Sequence, residues 1–170
     1  IVGPNGSGKT LLAEELAFQF ADAGYTIRYL KADRVPGAGH NDVLREDTAV
    51  RERIQGVLSS MFGKAIVFRE TPEGSVVPVV VNRAWNVEYN LQQAECHGLK
   101  EILVLLTALY TAQDGCCLLF DEPELHLHPQ FQLFFMNELR RTAAERPGTV
   151  FFLVTHSPFF IDLRYPEGLM

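Results

Sequence analysis

A segment near the start of the chain has the residue types and spacing that hold a polyphosphate. Gly3-Pro4-Asn5-Gly6-Ser7-Gly8-Lys9-Thr10 fits the pattern G-x-x-x-x-G-K-[ST] at every defined position. Its glycines let successive backbone N–H groups curl around phosphate oxygens, and a following helix adds the positive end of its dipole. The residues predicted to bind a nucleotide are Asn5, Gly6, Ser7, Gly8, Lys9 and Thr10. A glycine-rich turn that merely caps a helix is the alternative.

Within this loop the two last residues have distinct chemistry. The Lys9 ammonium is a point charge for the β- and γ-phosphates, so it is predicted to be catalytic as well as cofactor-binding. The Thr10 hydroxyl is predicted to complete the coordination of a magnesium ion.

Two adjacent carboxylates follow the apolar segment Cys116–Phe120, which reads as a buried strand. Ligands of open α/β sheets bind at the carboxyl ends of the strands. We therefore predict that Asp121 binds the same magnesium ion, directly or through water, and that Glu122 holds and polarises an attacking water. A solvated Asp-Glu pair at a strand end is the alternative.

The elements that must position these residues alternate between helix and strand. Periodicity predicts helices over 9–23, 42–60, 98–112 and 129–145, and strands over 25–30, 65–69, 75–81, 116–120 and 149–155. The helix over 42–60 is predicted to be largely a solvated face. The strands around Thr71–Gly74 are predicted to form a hairpin, with Pro78 favouring an edge strand. The pattern predicts one α/β domain over 1–170, a mostly parallel sheet flanked by helices, with a hairpin and helical insertion at about 31–90.

Length and composition agree with one packed domain. The chain has 170 residues, of which 47% are hydrophobic and 21% charged, which excludes a disordered tail. The net charge of −6 means that any contact with nucleic acid needs a local basic patch. The longest apolar segment is far below the roughly 18 residues of a membrane span. Only Ile1 and Val2 precede the loop, so we expect the chain to be an N-terminally truncated fragment.

The segment DEPELHLHP at 121–129, followed by THSP at 155–158, resembles the ABC-type ATPase heads of the OLD (overcoming lysogenisation defect) family and its AAA-domain relatives in prokaryotic defence. Those heads are similar to repair and chromosome-maintenance ATPases. The resemblance implies a P-loop NTPase fold of the ABC-ATPase type with ATP and Mg²⁺ as cofactors. It implies hydrolysis of ATP when two heads close around two nucleotides. It also implies a nuclease or other effector subunit, DNA or RNA as partners, and no membrane.

The same resemblance assigns further residues. His156, after the last core strand, would contact the γ-phosphate and is a third catalytic candidate. Gly98 would begin a helix that meets the nucleotide of the other subunit, although Cys96 and His97 depart from the small or hydroxylated residues expected there. The histidine pair His126 and His128 would lie at the dimer interface, with a zinc site as an alternative that no paired ligand spacing supports. Arg34 resembles a recurring position whose role the sequence leaves open.

Three other functions remain open at this level. An ATP-binding subunit of an ABC transporter is one, although a Leu-Ser-Gly-Gly-Gln-like signature is missing. A non-hydrolysing ATP sensor is another, and a small-molecule kinase is the third. An odd set of three cysteines and no signal peptide favour a reducing cytoplasm as the compartment.

Overall fold

The computed structural model describes residues 1, 8–32, 38–82, 86–94 and 98–161. Its helices and strands, in chain order, are α1 (Lys9–Asp22), β1 (Ile27–Leu30), α2 (Ala38–Glu46), α3 (Thr48–Phe62), β2 (Ile66–Glu70), β3 (Val76–Asn82), β4 (Val87–Asn90), α4 (Leu91–Ala94), α5 (Gly98–Tyr110), β5 (Cys117–Asp121), α6 (Pro129–Glu145) and β6 (Val150–Val154). A 3₁₀ turn covers Pro158–Phe160.

The chain divides into two compact units. The first unit contains residues 1–35 and 112–170, and the second contains residues 36–111. The second unit is thus inserted in the chain between β1 and β5. A single domain with an insertion at about 31–90 stays a prediction.

The first unit contains a parallel sheet in the order β1-β5-β6. Ile1 extends the ladder on the free side of β6, because its N-terminal ammonium donates to the Leu153 carbonyl at 2.7 Å and its carbonyl accepts from the Thr155 N–H at 3.0 Å. Ile1 therefore lies beside the carboxyl end of β6. The predicted α/β class with a parallel sheet flanked by helices is confirmed.

Successive residues of β5 face opposite sides of the sheet, which decides what each helix covers. Leu119 clusters with Ala13 of α1 and with Val154 of β6, all fully buried. Phe120 faces the other side, where its ring meets Phe135 of α6 edge-on at 5.3 Å between centroids. Asp121, two residues after Leu119, therefore belongs to the face that α1 covers.

We expect Phe135→Ala to lower the free energy of unfolding by about 3–5 kcal/mol, because it removes a buried ring and leaves a cavity beneath β5. Phe135 is 0% exposed, whereas Leu133 on the same helix is 48% exposed. Leu133→Ala is the matched control, with an expected change within about 0.5 kcal/mol. Urea unfolding of both variants measures the difference, and equal losses would contradict this account of the core.

The second unit contains an antiparallel sheet in the order β2-β3-β4. The predicted hairpin is present as β2 and β3, but the prediction of an edge strand at Pro78 is wrong, because β3 is central. Pro78 is tolerated there for two reasons. The Val81 N–H donates to the Ala65 carbonyl, so the alternation of the ladder places the Pro78 nitrogen on the side away from β2. The pairing of β3 with β4 begins only at Val79, so no bond is lost on that side either.

The helix predicted over 42–60 is two helices, α2 and α3. Asp47 separates them as the N-cap of α3, where its side chain accepts a hydrogen bond from the Val50 N–H at 3.0 Å. The predicted solvated face is only one side of these helices, since Leu44, Ile54 and Leu58 are fully buried. From sequence alone, an aspartate that caps a helix cannot be distinguished from a charged residue on the surface of one continuous helix.

Candidate functional site

Gly8, the last glycine of the phosphate-loop pattern, has a backbone conformation that favours glycine. Its φ of 80° is left-handed, and it is the N-cap of α1 with no side-chain cap. The first-turn N–H groups of α1 therefore lie at the end of the loop, where an anion can accept from them. The predicted ligands Asn5, Gly6 and Ser7 lie outside the described residues.

Lys9 and Thr10 begin α1 in different environments. Lys9 is buried, with 8% of its surface exposed. Thr10 is exposed, and its hydroxyl donates a hydrogen bond to Asp121 Oδ2 at 3.1 Å. The structure thus brings together the two residues that the sequence predicts as magnesium ligands, although they are 111 residues apart in the chain.

Asp121 is the last residue of β5 and is 2% exposed. Its Oδ2 accepts a second hydrogen bond from the Tyr29 hydroxyl, also at 3.1 Å. Its Oδ1 is buried and, among the described residues, has no hydrogen-bond partner. Burial of a carboxylate oxygen without a partner costs free energy, which a bound ligand could offset. A hydroxyl beside such an oxygen is a donor set that suits Mg²⁺.

Tyr29 is a site residue that sequence reasoning misses. It pairs with Leu119 in the parallel register of β1 and β5, so it shares the face of Leu119 and Asp121. Only the register reveals this, because the four residues of β1 carry no motif of their own.

Glu122 follows in a strained turn. Its φ of 45° is left-handed, which is uncommon for a residue with a side chain and costs of order 1–2 kcal/mol. The turn is fixed on both sides, because the Glu122 N–H donates to the Val154 carbonyl at 2.8 Å and its carbonyl accepts from the Leu125 N–H at 3.1 Å. The Glu122 side chain is 25% exposed, so water can reach it.

His156 lies beside two carboxylates. Its Nδ1 is 3.6 Å from Glu122 Oε1 and 3.3 Å from Glu124 Oε1, and its ring is 41% exposed. Glu122 and His156, predicted as water-polarising residue and γ-phosphate contact, are therefore neighbours. Glu124 is the other residue that sequence reasoning misses, although its place in the segment DEPELHLHP could have raised it.

The remaining predicted residues are two histidines that follow Glu124 in the chain, a glycine of the second unit and three residues outside the described ranges. His128 is exposed and caps α6, where its Nδ1 accepts from the Gln130 N–H at 3.4 Å, and His126 is exposed with a left-handed φ of 63°. Gly98 is the first residue of α5 and is buried. Its predicted role toward a nucleotide stays a prediction, while Cys96, His97 and Arg34 lie outside the described residues. No group of three or more His, Cys, Asp or Glu suited to a metal ion occurs in the part of the chain that the structure describes.

The buried thiols before Asp121 are core residues. Cys116 and Cys117 are free and buried. Burial raises the pKa of the Cys116 thiol, and burial together with the neighbouring Cys116 raises the pKa of Cys117 to about 11. Neither sulfur is therefore a nucleophile near neutral pH. No helix within the described ranges is long and apolar enough to cross a bilayer.

Comparison with known proteins identifies a family and a fold. The family described as "AAA domain, putative AbiEii toxin, Type IV TA system" matches residues 27–162. No curated protein matches the chain. A solved structure from a study of "ATP-driven dimerization and DNA stimulated activation of SMC ATPases" has 16% identity and a TM-score of 0.50, and the match covers 71% of this chain and 75% of that one. This likeness concerns the fold alone: the α/β fold of the chain, with a parallel sheet flanked by helices, is similar to that of an SMC ATPase head.

Two further solved structures are similar at 16% identity. One is an SMC head bound to the C-winged helix domain of ScpA, with a TM-score of 0.48 and coverage of 69% of this chain and 37% of that one. The other is the Smc head from Pyrococcus furiosus with an extended coiled coil, with a TM-score of 0.46 and coverage of 71% and 31%.

Proposed function

The chain belongs to this AAA-domain family, and from that premise we propose that it binds ATP with Mg²⁺ and hydrolyses the nucleotide to ADP and phosphate. One observation carries the proposal. The Thr10 hydroxyl, at the end of the phosphate-loop pattern, donates to Asp121 at the carboxyl end of β5. Two separate motifs that both serve a metal-bound triphosphate therefore lie within one hydrogen bond of each other.

The metal would be held by Thr10 and Asp121. Asp121 Oδ1 is buried and open among the described residues, while Oδ2 is fixed by Thr10 and Tyr29. When bound, Mg²⁺ neutralises charge on the phosphate oxygens. Tyr29 keeps the carboxylate oriented, so the open oxygen faces a fixed direction.

The other residues act on the phosphates and on water. The loop amides and the Lys9 ammonium stabilise charge on the β- and γ-phosphates. Glu122 accepts a proton from the attacking water and orients it, which its partial exposure permits. His156, 3.6 Å from Glu122, contacts the γ-phosphate on the same side.

Dimerisation and partners extend this proposal by resemblance. We infer a homodimer that closes on ATP, with Gly98 facing the partner's nucleotide and His126 and His128 at the interface. The SMC ATPase that shares the fold is described by its ATP-driven dimerisation, which supports the idea. A cytoplasmic head of the OLD type, driving a nucleic-acid-processing or anti-phage effector, is the fuller proposal. The family description, which names a toxin of a type IV toxin–antitoxin system, is compatible with defence.

Lys9→Ala is expected to weaken ATP binding about 10- to 100-fold, because a charge-assisted contact to phosphate is worth about 1.5–3 kcal/mol. Lys64→Ala, which removes an exposed lysine of the second unit, is the matched control and should leave affinity unchanged. Equilibrium binding of a fluorescent ATP analogue measures both. Equal affinity in wild type and Lys9→Ala would contradict the assignment of the phosphate loop.

A further inference from the structure

Glu124 makes the contacts that hold the His156 loop. It lies in the turn after β5 and is 6% exposed. Its Oε1 accepts a hydrogen bond from the His156 backbone N–H at 2.8 Å, and the same oxygen lies 3.3 Å from His156 Nδ1. One carboxylate oxygen thus faces both the backbone and the ring of this histidine.

We propose that Glu124 is a positioning residue, which turns the imidazole of His156 toward Glu122 and fixes which ring nitrogen carries the proton. The inference rests on the proposed function, because His156 acts there on the γ-phosphate. Nδ1 is 3.3 Å from Glu124 Oε1 and 3.6 Å from Glu122 Oε1. Nε2, the other ring nitrogen, would then be the one that contacts the γ-phosphate.

The chemistry of a buried carboxylate supports this role. An ionised carboxylate only accepts hydrogen bonds, so the ring nitrogen that faces it carries a hydrogen. Glu124 Oε2 is buried and, among the described residues, has no hydrogen-bond partner. A carboxylate that is desolvated and only partly paired attracts a nearby N–H strongly. Glu124 therefore favours the imidazole with its proton on Nδ1.

A second anchor keeps the loop in place independently of Glu124. The Ser157 hydroxyl donates to Gln132 Oε1 at 2.5 Å, and Gln132 Nε2 donates to the Leu127 carbonyl at 2.8 Å. The Thr155 N–H donates to the Ile1 carbonyl at 3.0 Å. Loss of the Glu124 charge is thus expected to free the ring of His156 without unfolding the loop.

The test compares Glu124→Gln with wild type in steady-state ATP hydrolysis. The amide oxygen still accepts from the His156 backbone, but the charge that faces Nδ1 is gone. We expect kcat to fall about tenfold while KM changes less than about twofold, since Glu124 is absent from the predicted phosphate and metal contacts. Glu124→Asp, which restores the charge, should recover part of the rate. Glu138→Gln is the control, because Glu138 is also buried but pairs with Arg141 at 3.0 Å, and it should keep the wild-type rate.

The ring ¹⁵N signals of His156 report which ring nitrogen carries the proton, and they are assigned by their loss in His156→Ala. If Glu124 had only a structural role, its replacement by glutamine would leave these signals unchanged. The wild type is expected to show a protonated Nδ1, and Glu124→Gln is expected to shift the ring toward protonation at Nε2. A wild-type rate in Glu124→Gln, or a lowered rate with unchanged ring signals, would overturn the inference.

Failure of the two proposals can be told apart. A wild-type protein that does not hydrolyse ATP contradicts the proposed function, and the ring signals then decide alone whether Glu124 positions His156. A wild-type protein that hydrolyses ATP, with Glu124→Gln identical to it in rate and ring signals, contradicts only the role of Glu124.

Discussion

Asp121→Asn is expected to reduce Mg²⁺-dependent ATP hydrolysis about 100- to 1000-fold without lowering the thermal midpoint of the nucleotide-free protein. Asparagine matches the shape of aspartate and can still pair with the hydroxyls of Thr10 and Tyr29. It removes a buried charge whose Oδ1 has no partner among the described residues. Neutralising that charge removes a desolvation cost, so the midpoint should equal or exceed that of wild type.

The prediction separates two quantities, because ATP hydrolysis should fall while the thermal midpoint should not. Substitution of a residue that only stabilises the fold would lower both stability and activity. Substitution of a residue that binds a metal would lower activity alone. Scanning calorimetry without nucleotide and a coupled phosphate-release assay over a range of Mg²⁺ concentrations measure the two quantities. Asp114→Asn is the control, because that aspartate is 85% exposed, and it should change neither. A lowered midpoint in Asp121→Asn, or full turnover, would argue against the metal site.

The parts of the fold that the sequence predicts well are those where local pattern and packing agree. α6 begins at Pro129 and ends at Glu145, as its proline start and apolar spacing predict. β5 is apolar because all of its residues are buried, and β6 is apolar although most of its residues are half-buried. Both apolar segments could be placed to within a residue or two. The predictions of an edge strand at Pro78 and of one continuous helix across Asp47 are wrong for a different reason. Each depends on which backbone groups are paired with a neighbour, and sequence periodicity carries no information on that pairing.

The candidate site divides in the same way. Thr10 and Asp121 could be chosen from their motifs, and the structure places them 3.1 Å apart. Tyr29 lies outside any motif, and Glu124 lies within the segment DEPELHLHP, which gives it no role. Each acts through an atom of another segment: an Asp121 oxygen for Tyr29, and the His156 N–H for Glu124. Contacts between segments far apart in the chain follow from strand register and turn geometry, which no single stretch of sequence encodes.

The second large effect is expected from a substitution at Glu122, in the turn after β5. Glu122→Gln should slow the hydrolysis of bound ATP about 10²- to 10⁴-fold, because the amide cannot accept a proton from the attacking water. The backbone of the turn holds the direction of the side chain through the bonds to Val154 and Leu125, and glutamine fits the same left-handed conformation about as well as glutamate. Binding of ATP should therefore stay within about threefold of wild type.

Single-turnover quench measurements with pre-bound radiolabelled ATP separate cleavage from binding. Glu145→Gln, on the exposed end of α6, is the control and should cleave at the wild-type rate. If two heads close around ATP, Glu122→Gln should also accumulate as an ATP-bound dimer in size-exclusion chromatography, since the nucleotide that holds the interface is no longer consumed. Equal cleavage in Glu122→Gln and wild type would remove Glu122 from the reaction. Absence of cleavage in both would indicate an ATP sensor, in which the strain at Glu122 serves the turn rather than a water molecule.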